Sequence, residues 1–496
     1  MYLFTGQRLE RSVWLWLAAA ALVGVGIALV PPLFAVSWLL GLAALGLAVC
    51  DPIWPVALAV LSVPFQQLVT LPGGLSVTQF CFILVALSFL WQLSQRRWPW
   101  PDMPGIALAI FLWTLAVTAA LTPLSRSEGL KETLRWGTVL LIYLAAMSAL
   151  QDPDRVQWRR AVLVACLLAA PAITALIGIG QHLTGIGPAS FAVGDGRVRA
   201  YGTIGQPNSF AGYLNQAWPL AAGFGLVMIV THHWHTWRDR LRLGIVFITA
   251  GSLIGGLLAS FSRGGWVGAA LGATVMTVVL GAWYGRRMLR QSIPVILVAV
   301  FGGMILVNSG LLPTALSSRL TSIIANLQPF DVRNVNITPD NFAVVERMAH
   351  LQAAWNMVQE RPLLGVGPGN FTIAYERLVY SGQTPTWIKP WYDSRGHAHN
   401  YYLHIAAESG LIGLSAYLLL LGSVWRTAVR AVQQANDWFT RGIALGGIGV
   451  VSTLSGHNLF ENLHVLNMGV QFAAIIALIA TINTGRTELH SCNEDL

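Results

Sequence analysis

The chain has 496 residues, 55% hydrophobic and only 10% charged, with a formal net charge of +9. Soluble domains carry about 25% charged residues, so a deficit of this size excludes an ordinary soluble fold and requires contact with lipid. Lys131 and Lys389 are the only lysines, so the positive charge is arginine set in short loops between apolar runs. That placement reports membrane orientation and gives no support for a nucleic-acid partner.

A spanning helix needs about 20 mainly apolar residues. In chain order the candidate spans are 13–30, 33–50, 53–70, 76–94, 104–122, 133–150, 161–183, 209–230, 243–260, 265–283, 292–312, 401–424, 442–458 and 464–483. The expectation is an all-α polytopic membrane protein with about 12–14 transmembrane helices. Only Pro31-Pro32 divides the first two runs, and their continuity reads as a retained span rather than a cleaved signal. Several of the twenty tryptophans sit at the ends of these runs, as interfacial anchors do. Cys50, Cys81, Cys166 and Cys492 show no metal-ligand spacing and no disulfide framework.

Arginine placement sets the topology. Counting alternately from an inside N-terminus, the inner connections carry Arg8 and Arg11, Arg96 and Arg97, and Arg155, Arg159 and Arg160. Further along they carry Arg238, Arg240 and Arg242, then Arg286, Arg287 and Arg290, then Arg426, Arg430, Arg441 and Arg486. The short outer connections are nearly bare apart from Arg126, Lys131 and Arg135, which mix with Glu128 and Glu132. One topology with both termini inside therefore satisfies the positive-inside rule.

Four regions follow: N-terminal spans 1–183, central spans 184–312, one long extracytoplasmic loop 313–400, and C-terminal spans with a short tail, 401–496. Within the long loop, Met348, Leu351, Trp355 and Val358 recur at helical spacing and Pro362 ends the pattern, which predicts an amphipathic helix over 346–361 near the outer surface. "GVGPGNF" (365–371) reads as a glycine-rich turn. Without a lysine or a preceding strand it is no phosphate-cradling loop.

Some cations break the inside pattern. They are Arg197 and Arg199 in "GRVRAYGTIGQPNSFAGYL", Arg263 in "SFSRGGWVG", Arg319 in "LSSRL", Arg347, and the histidines His397 and His399 in "DSRGHAHNYYLHIAAESGLIGL". All fall on the outer face. Ionisable groups near membrane depth are costly and point to a polar cavity or substrate path. Arginine makes forked contacts with phosphate oxygens, and histidine accepts protons near neutral pH. Several arginines with one base and no carboxylate cluster suit a metal-free transfer from a phosphate-linked donor.

Plainer readings stand beside these. Arg263 could anchor a turn at the interface, one of Arg197 and Arg199 is a solvated loop charge, and His399 alone could be an ordinary hydrogen-bonded histidine. His404 and Glu408 lie one turn apart and could be a structural pair. His457, Glu461 and Asn462 in "SGHNLFEN" could only cap helices, and His232, His233 and His235 fall on the inner side, where an interfacial loop explains them better than a metal tract.

Four stretches, "RAYGTIGQPNSFAGYL", "SRGGWVG", "ERMAHLQAAWNMVQERPLLGVGPGNF" and "HAHNYYLHIAAESGLIGLSAYL", resemble the O-antigen ligase and polymerase superfamily of bacterial envelope glycosyltransferases. The resemblance runs from residue 199 to about 418 and includes motif order and the long outer loop before the histidine. It implies a type C glycosyltransferase-like fold in the plasma (inner) membrane, with the site facing the periplasm or cell exterior. It also implies an undecaprenyl-pyrophosphate-linked glycan donor and a glycan or lipid A-core acceptor, with membrane lipids around the chain and no cofactor or metal. By motif position His399 matches the family's essential histidine, and Arg199, Arg263 and Arg319 match its pyrophosphate-binding arginines. Arg197, Arg347, His397 and Glu408 are supporting candidates. "GQPN" and "HAHN" do not identify a branch, so ligase, polymerase and protein O-oligosaccharyltransferase stay open. A flippase for lipid-linked glycans and a non-catalytic scaffold are the rival classes. The first would want broken helices repeated in two halves, which the sequence lacks, and the second would not need the His–Arg set.

Overall fold

A computed structural model describes residues 32–484 except 69, 72–73, 96–97, 100–101, 195, 286–330, 333–334, 337, 339–340 and 381–395. The predicted spans 13–30 and 292–312, and Arg319, lie outside the described residues. The remaining predicted spans all contain helix, but 53–70 is α-helical only over Ile53–Ser62, and 464–483 only from Gly469. In chain order the helices are α1 (Pro32–Cys50), α2 (Ile53–Ser62), α3 (Val77–Ser94), α4 (Met103–Leu121), α5 (Arg126–Ala149) and α6 (Val156–Thr184). After a small hairpin come α7 (Pro207–Asn215), α8 (Trp218–Val230), α9 (Trp237–Ala259) and α10 (Arg263–Tyr284). The loop region contributes α11 (Phe342–Glu360) and α12 (Phe371–Tyr380), and the chain continues with α13 (Tyr401–Gln434), α14 (Trp438–His457) and α15 (Gly469–Thr484). Among the described residues, seven helical stretches are long and apolar enough to cross a membrane, α7 and α8 counting as one. The hairpin pairs β1 (Ala192–Gly194) antiparallel to β2 (Arg197–Val198), with Ala192 opposite Val198.

The residues that alternate counting assigns to one side do gather at one end. Arg159 and Arg155 bind Asp51 at the α1–α2 junction (2.8 and 3.2 Å), and Arg160 donates to the Thr481 carbonyl near the end of α15 (2.7 Å). Burial would raise the Asp51 carboxyl, but the arginines and the Ile53 amide outweigh it and hold it below its ordinary value. On α5, Glu128–Lys131 and Glu132–Arg135 form pairs one turn apart, which explains the mixed charges of that outer connection.

Predicted span 209–230 is two helices. Asn215 ends the first and accepts from the Trp218 indole (3.0 Å), while Pro219 near the start of α8 has no N–H to continue the ladder. Glycine sets how closely α10 meets α14. Gly264, Gly268 and Gly272 recur every fourth residue, and a Cβ on Gly268 would fall 2.7 Å from the Thr453 carbonyl and 2.8 Å from the His457 Cβ. Small residues at this spacing let backbones touch, which is the physical content of "SRGGWVG".

α13 is broken after Ser409. Gly410 adopts φ 68°, ψ −172°, and the open backbone receives the segment before "GVGPGNF". Leu411 N–H donates to the Pro362 carbonyl (2.7 Å), Val366 N–H to Ala407 (3.0 Å) and Gly367 N–H to Glu408 (2.7 Å). Thr122 donates to the Val366 carbonyl (2.6 Å), and the Asn370 side chain accepts from Ser125 N–H (2.9 Å), which fastens the same segment to the α4–α5 turn. The glycine-rich turn is therefore a docking segment that holds the first half of α13. A side chain at Gly410 would need a left-handed backbone and would overlap Leu363. Gly410→Ala is expected to destabilise the protein by about 1–3 kcal/mol, read as a lower thermal midpoint in nanodiscs.

The loop helix is slightly longer than predicted and rotated. Val345, Met348, Ala349, Ala353, Ala354 and Met357 are buried, whereas Trp355, placed on the predicted apolar stripe, is 56% exposed. The buried side is shaped by α13 and the docking segment rather than by hydropathy alone.

Candidate active site

The starts of α7, α10 and α13, the end of α14 and the loop helix α11 surround one cavity of about 280 Å³. Arg199, Asn208, Arg263, Arg347, His399 and Glu461 line it, with His457 and Glu346 among the other polar groups.

Each of these side chains is held by local structure. Arg199 N–H donates to the Phe191 carbonyl (2.8 Å) and Ala200 N–H to Ala259 at the end of α9 (2.8 Å), so the strand leaving the hairpin is tied to a membrane helix. The Arg199 guanidinium donates from Nε to the Ser260 carbonyl (2.9 Å) and from Nη2 to Asn208 Oδ1 (2.8 Å). Arg263 is the first residue of α10. Ser262 caps that helix by accepting from Gly265 N–H (3.3 Å), and Phe261 turns the chain at φ 51°.

His399 also sits at φ 51°, directly before Asn400, which caps α13 by accepting from Leu403 N–H (3.0 Å). Tyr401 N–H donates to the Asn458 carbonyl (2.8 Å), binding the start of α13 to the end of α14. A left-handed backbone is uncommon outside glycine and costs energy, and here it occurs twice on one cavity wall.

Glu461 is the hub. Its Oε2 accepts from Asn208 Nδ2 (2.8 Å) and lies 3.9 Å from Arg347 Nη2. Its Oε1 is in contact with His397 Nε2 and stands 3.3 Å from His399 Nδ1, near enough for charge to act but not aligned as a hydrogen bond. Burial would raise the Glu461 carboxyl, yet His397 and His399 outweigh it and hold it well below the ordinary carboxylate range. At His399 burial is the largest influence and lowers the pKa. Glu461 opposes the fall, while His397 and Arg347 add to it, and the net value is below the ordinary 6.5. His399 is therefore neutral at neutral pH beside an ionised carboxylate.

His397, His399 and Glu461 place three ligand atoms within 4.8 Å of one another, a donor set that would accept a divalent transition cation. Arg199, Arg263 and Arg347 line the same cavity and oppose a cation there while favouring an anion.

Of the residues selected from sequence, Arg199, Arg263, Arg347 and His399 meet in this cavity, and His397 joins through Glu461. Arg197 does not. It lies exposed in β2, which makes it the solvated member of its pair. Glu408 is also elsewhere: its carboxylate accepts from Gly369 N–H (2.9 Å) and Phe371 N–H (3.0 Å) and lies 3.5 Å from His404, so it secures the docking segment. Glu461 and His457, which the sequence suggests as helix caps, belong to the cavity instead. His457 ring Nδ1 lies 3.1 Å from Asn215 Nδ2. Asn208 falls within "RAYGTIGQPNSFAGYL" but does not stand out there by residue type. Its position next to Pro207 at a helix start is the only local signal of its role.

Residues 245–418 match the family described as O-antigen ligase. The match supports the O-antigen ligase superfamily for that stretch, within an all-α polytopic membrane protein. It contains Arg263, Arg347, His397 and His399, while Arg199, Asn208 and Glu461 are brought to it by packing. The family points to glycan ligase or polymerase activity. A comparison with curated proteins finds no match.

Proposed function

We propose that the protein transfers a glycan from an undecaprenyl-pyrophosphate donor to an acceptor hydroxyl at the outer face of the plasma membrane, as an O-antigen ligase or polysaccharide polymerase. The observation that carries this reading is the single cavity joining Arg199, Arg263 and Arg347 to a neutral His399, largely within the family-matched stretch. The acceptor oxygen attacks the anomeric carbon, His399 takes its proton, and the bond from that carbon to the pyrophosphate oxygen breaks. Polyprenyl pyrophosphate leaves with the bonding electrons, and a single displacement inverts the anomeric configuration. Arg199 and Arg263 stabilise the charge that develops on the leaving group. Arg263 stands in the first turn of α10, where the helix dipole disfavours a cation and favours an anion. A bound pyrophosphate reconciles the two. Arg319 keeps only the role that the resemblance implies.

The test uses purified protein in nanodiscs with a labelled undecaprenyl-pyrophosphate glycan and, in turn, lipid A-core, free glycan and peptide acceptors. Transfer to one acceptor supports the reading and names the branch. Donor bound but never consumed, with His399→Ala behaving as wild type, sinks it and leaves lipid-linked glycan translocation to be assayed.

Two conditions refine the test. Transfer should continue undiminished in a chelator, and abolition by chelation would overturn the metal-independent step. The base must be neutral, and its pKa is lowered, so kcat/KM should stay level through neutral pH. It should decline only as pH falls below the ordinary histidine value of 6.5. An acid limb centred above 6.5 would contradict the assignment of His399 as base.

A further inference from the structure

We propose that Asn208 and Glu461 are positioning residues forming a directional link between the donor-side Arg199 and the base His399, so that donor binding and base geometry are coupled. The inference rests on the transfer reading for its catalytic meaning and on geometry for its existence.

Arg199 offers only donors and an ionised carboxylate only acceptors, so a group bridging them must accept at one end and donate at the other. Asn208 does this, accepting from Arg199 Nη2 (2.8 Å) and donating to Glu461 Oε2 (2.8 Å). Its neighbours thereby fix which way the amide faces. Pro207 at the start of α7 fixes the backbone just before it. The other Glu461 oxygen faces His397 and His399. Arg199 and Asn208 stand nine residues apart in one stretch, while Glu461 and His399 come from two others, and the link exists only when all four residues are in place. A pyrophosphate drawn to Arg199 would act on the same guanidinium that holds Asn208. Any displacement passes to Glu461 and then, through its charge 3.3 Å from Nδ1, to the His399 ring, and by thermodynamic reciprocity the state of His399 acts back on donor affinity.

Three variants in nanodiscs test this: Asn208→Asp, Glu461→Gln and the double variant. Asn208→Asp is isosteric and keeps an acceptor for Arg199, but it loses the donor and sets a carboxylate against Glu461. It should lower kcat by about tenfold or more with donor affinity, measured by direct binding, changed much less. Added to Glu461→Gln, it should cost far less than the product of the two single effects. Thermal midpoints are read for each variant, and Asn208→Ala serves if the aspartate variant does not fold.

Glu461→Gln should also move the acid limb of kcat to lower pH, because the carboxylate that raises the His399 pKa is gone. His397, Arg347, His350, His404 and His457 also face this region and are unchanged in the variant. The same shift can be read without catalysis from the pH dependence of His399 modification by diethyl pyrocarbonate, resolved by peptide mass spectrometry. Multiplicative single-variant losses together with an unmoved His399 profile would overturn the link. If wild type transfers no glycan yet the His399 profile shifts in Glu461→Gln, the transfer reading fails while the link between Glu461 and His399 survives.

Discussion

His399→Ala is expected to lower glycan transfer by about 10²–10⁴-fold while the labelled donor still binds. That range is the usual contribution of a positioned base, and the geometry explains why this histidine should reach it. The ring is mostly buried, its pKa is lowered so that the basic form prevails at neutral pH, and the Glu461 carboxylate stands 3.3 Å from Nδ1. The backbone at φ 51° is uncommon outside glycine and costs energy. His399→Gln, which keeps polarity without a useful pKa, should be as inactive as the alanine variant. Turnover under single-turnover conditions separates this from a defect in product release. Activity within a fewfold of wild type in either variant would remove His399 from the mechanism.

Loss of Arg263 should be comparably severe but differently distributed. Arg263→Ala is expected to weaken donor binding and to reduce turnover by about 10²–10³-fold, because charge on the departing pyrophosphate loses a helix-borne cation. Arg263→Lys should recover little, since an ammonium restores the charge but not the planar fork that engages two phosphate oxygens. Arg199→Ala should behave similarly and should also release Asn208. Arg197→Ala should be close to silent, because that side chain is exposed in β2 away from the cavity. Donor affinity and kcat, measured side by side for these variants, separate the possible outcomes. Full rescue by lysine would show a general electrostatic role, and an Arg197 defect as large as that of Arg199 would place the donor site outside this cavity.

Much of this architecture is legible in the sequence. Hydropathy locates all the spans that lie within the described residues, because burial in lipid depends on the summed polarity of about 20 consecutive residues, a local property. Alternate counting of the spans puts Arg155, Arg159 and Arg160 on one side and Arg199, Arg263 and His399 on the other, and the packing brings the first two to Asp51, Arg160 to Thr481, and the last three to one cavity. Where helix continuity depends on what docks against the chain, the same reasoning falls short. Nothing local to "AESGLIG" announces that Gly410 opens a helix to receive Pro362–Gly367, and nothing local to α11 places Trp355 outward.

The sequence by itself determined the helical class, the alternation of the spans and the identity of the arginines and histidine worth testing, since those follow from residue type and short-range order. Only the tertiary structure decided which polar groups share a cavity. It turned Glu461 from a cap into a hub, moved Glu408 to the docking segment, left Arg197 outside and joined Asn208 to both sides of the site. The reason is that a buried carboxylate or amide takes its role from its partners, and here those partners lie as much as 253 residues away in the chain.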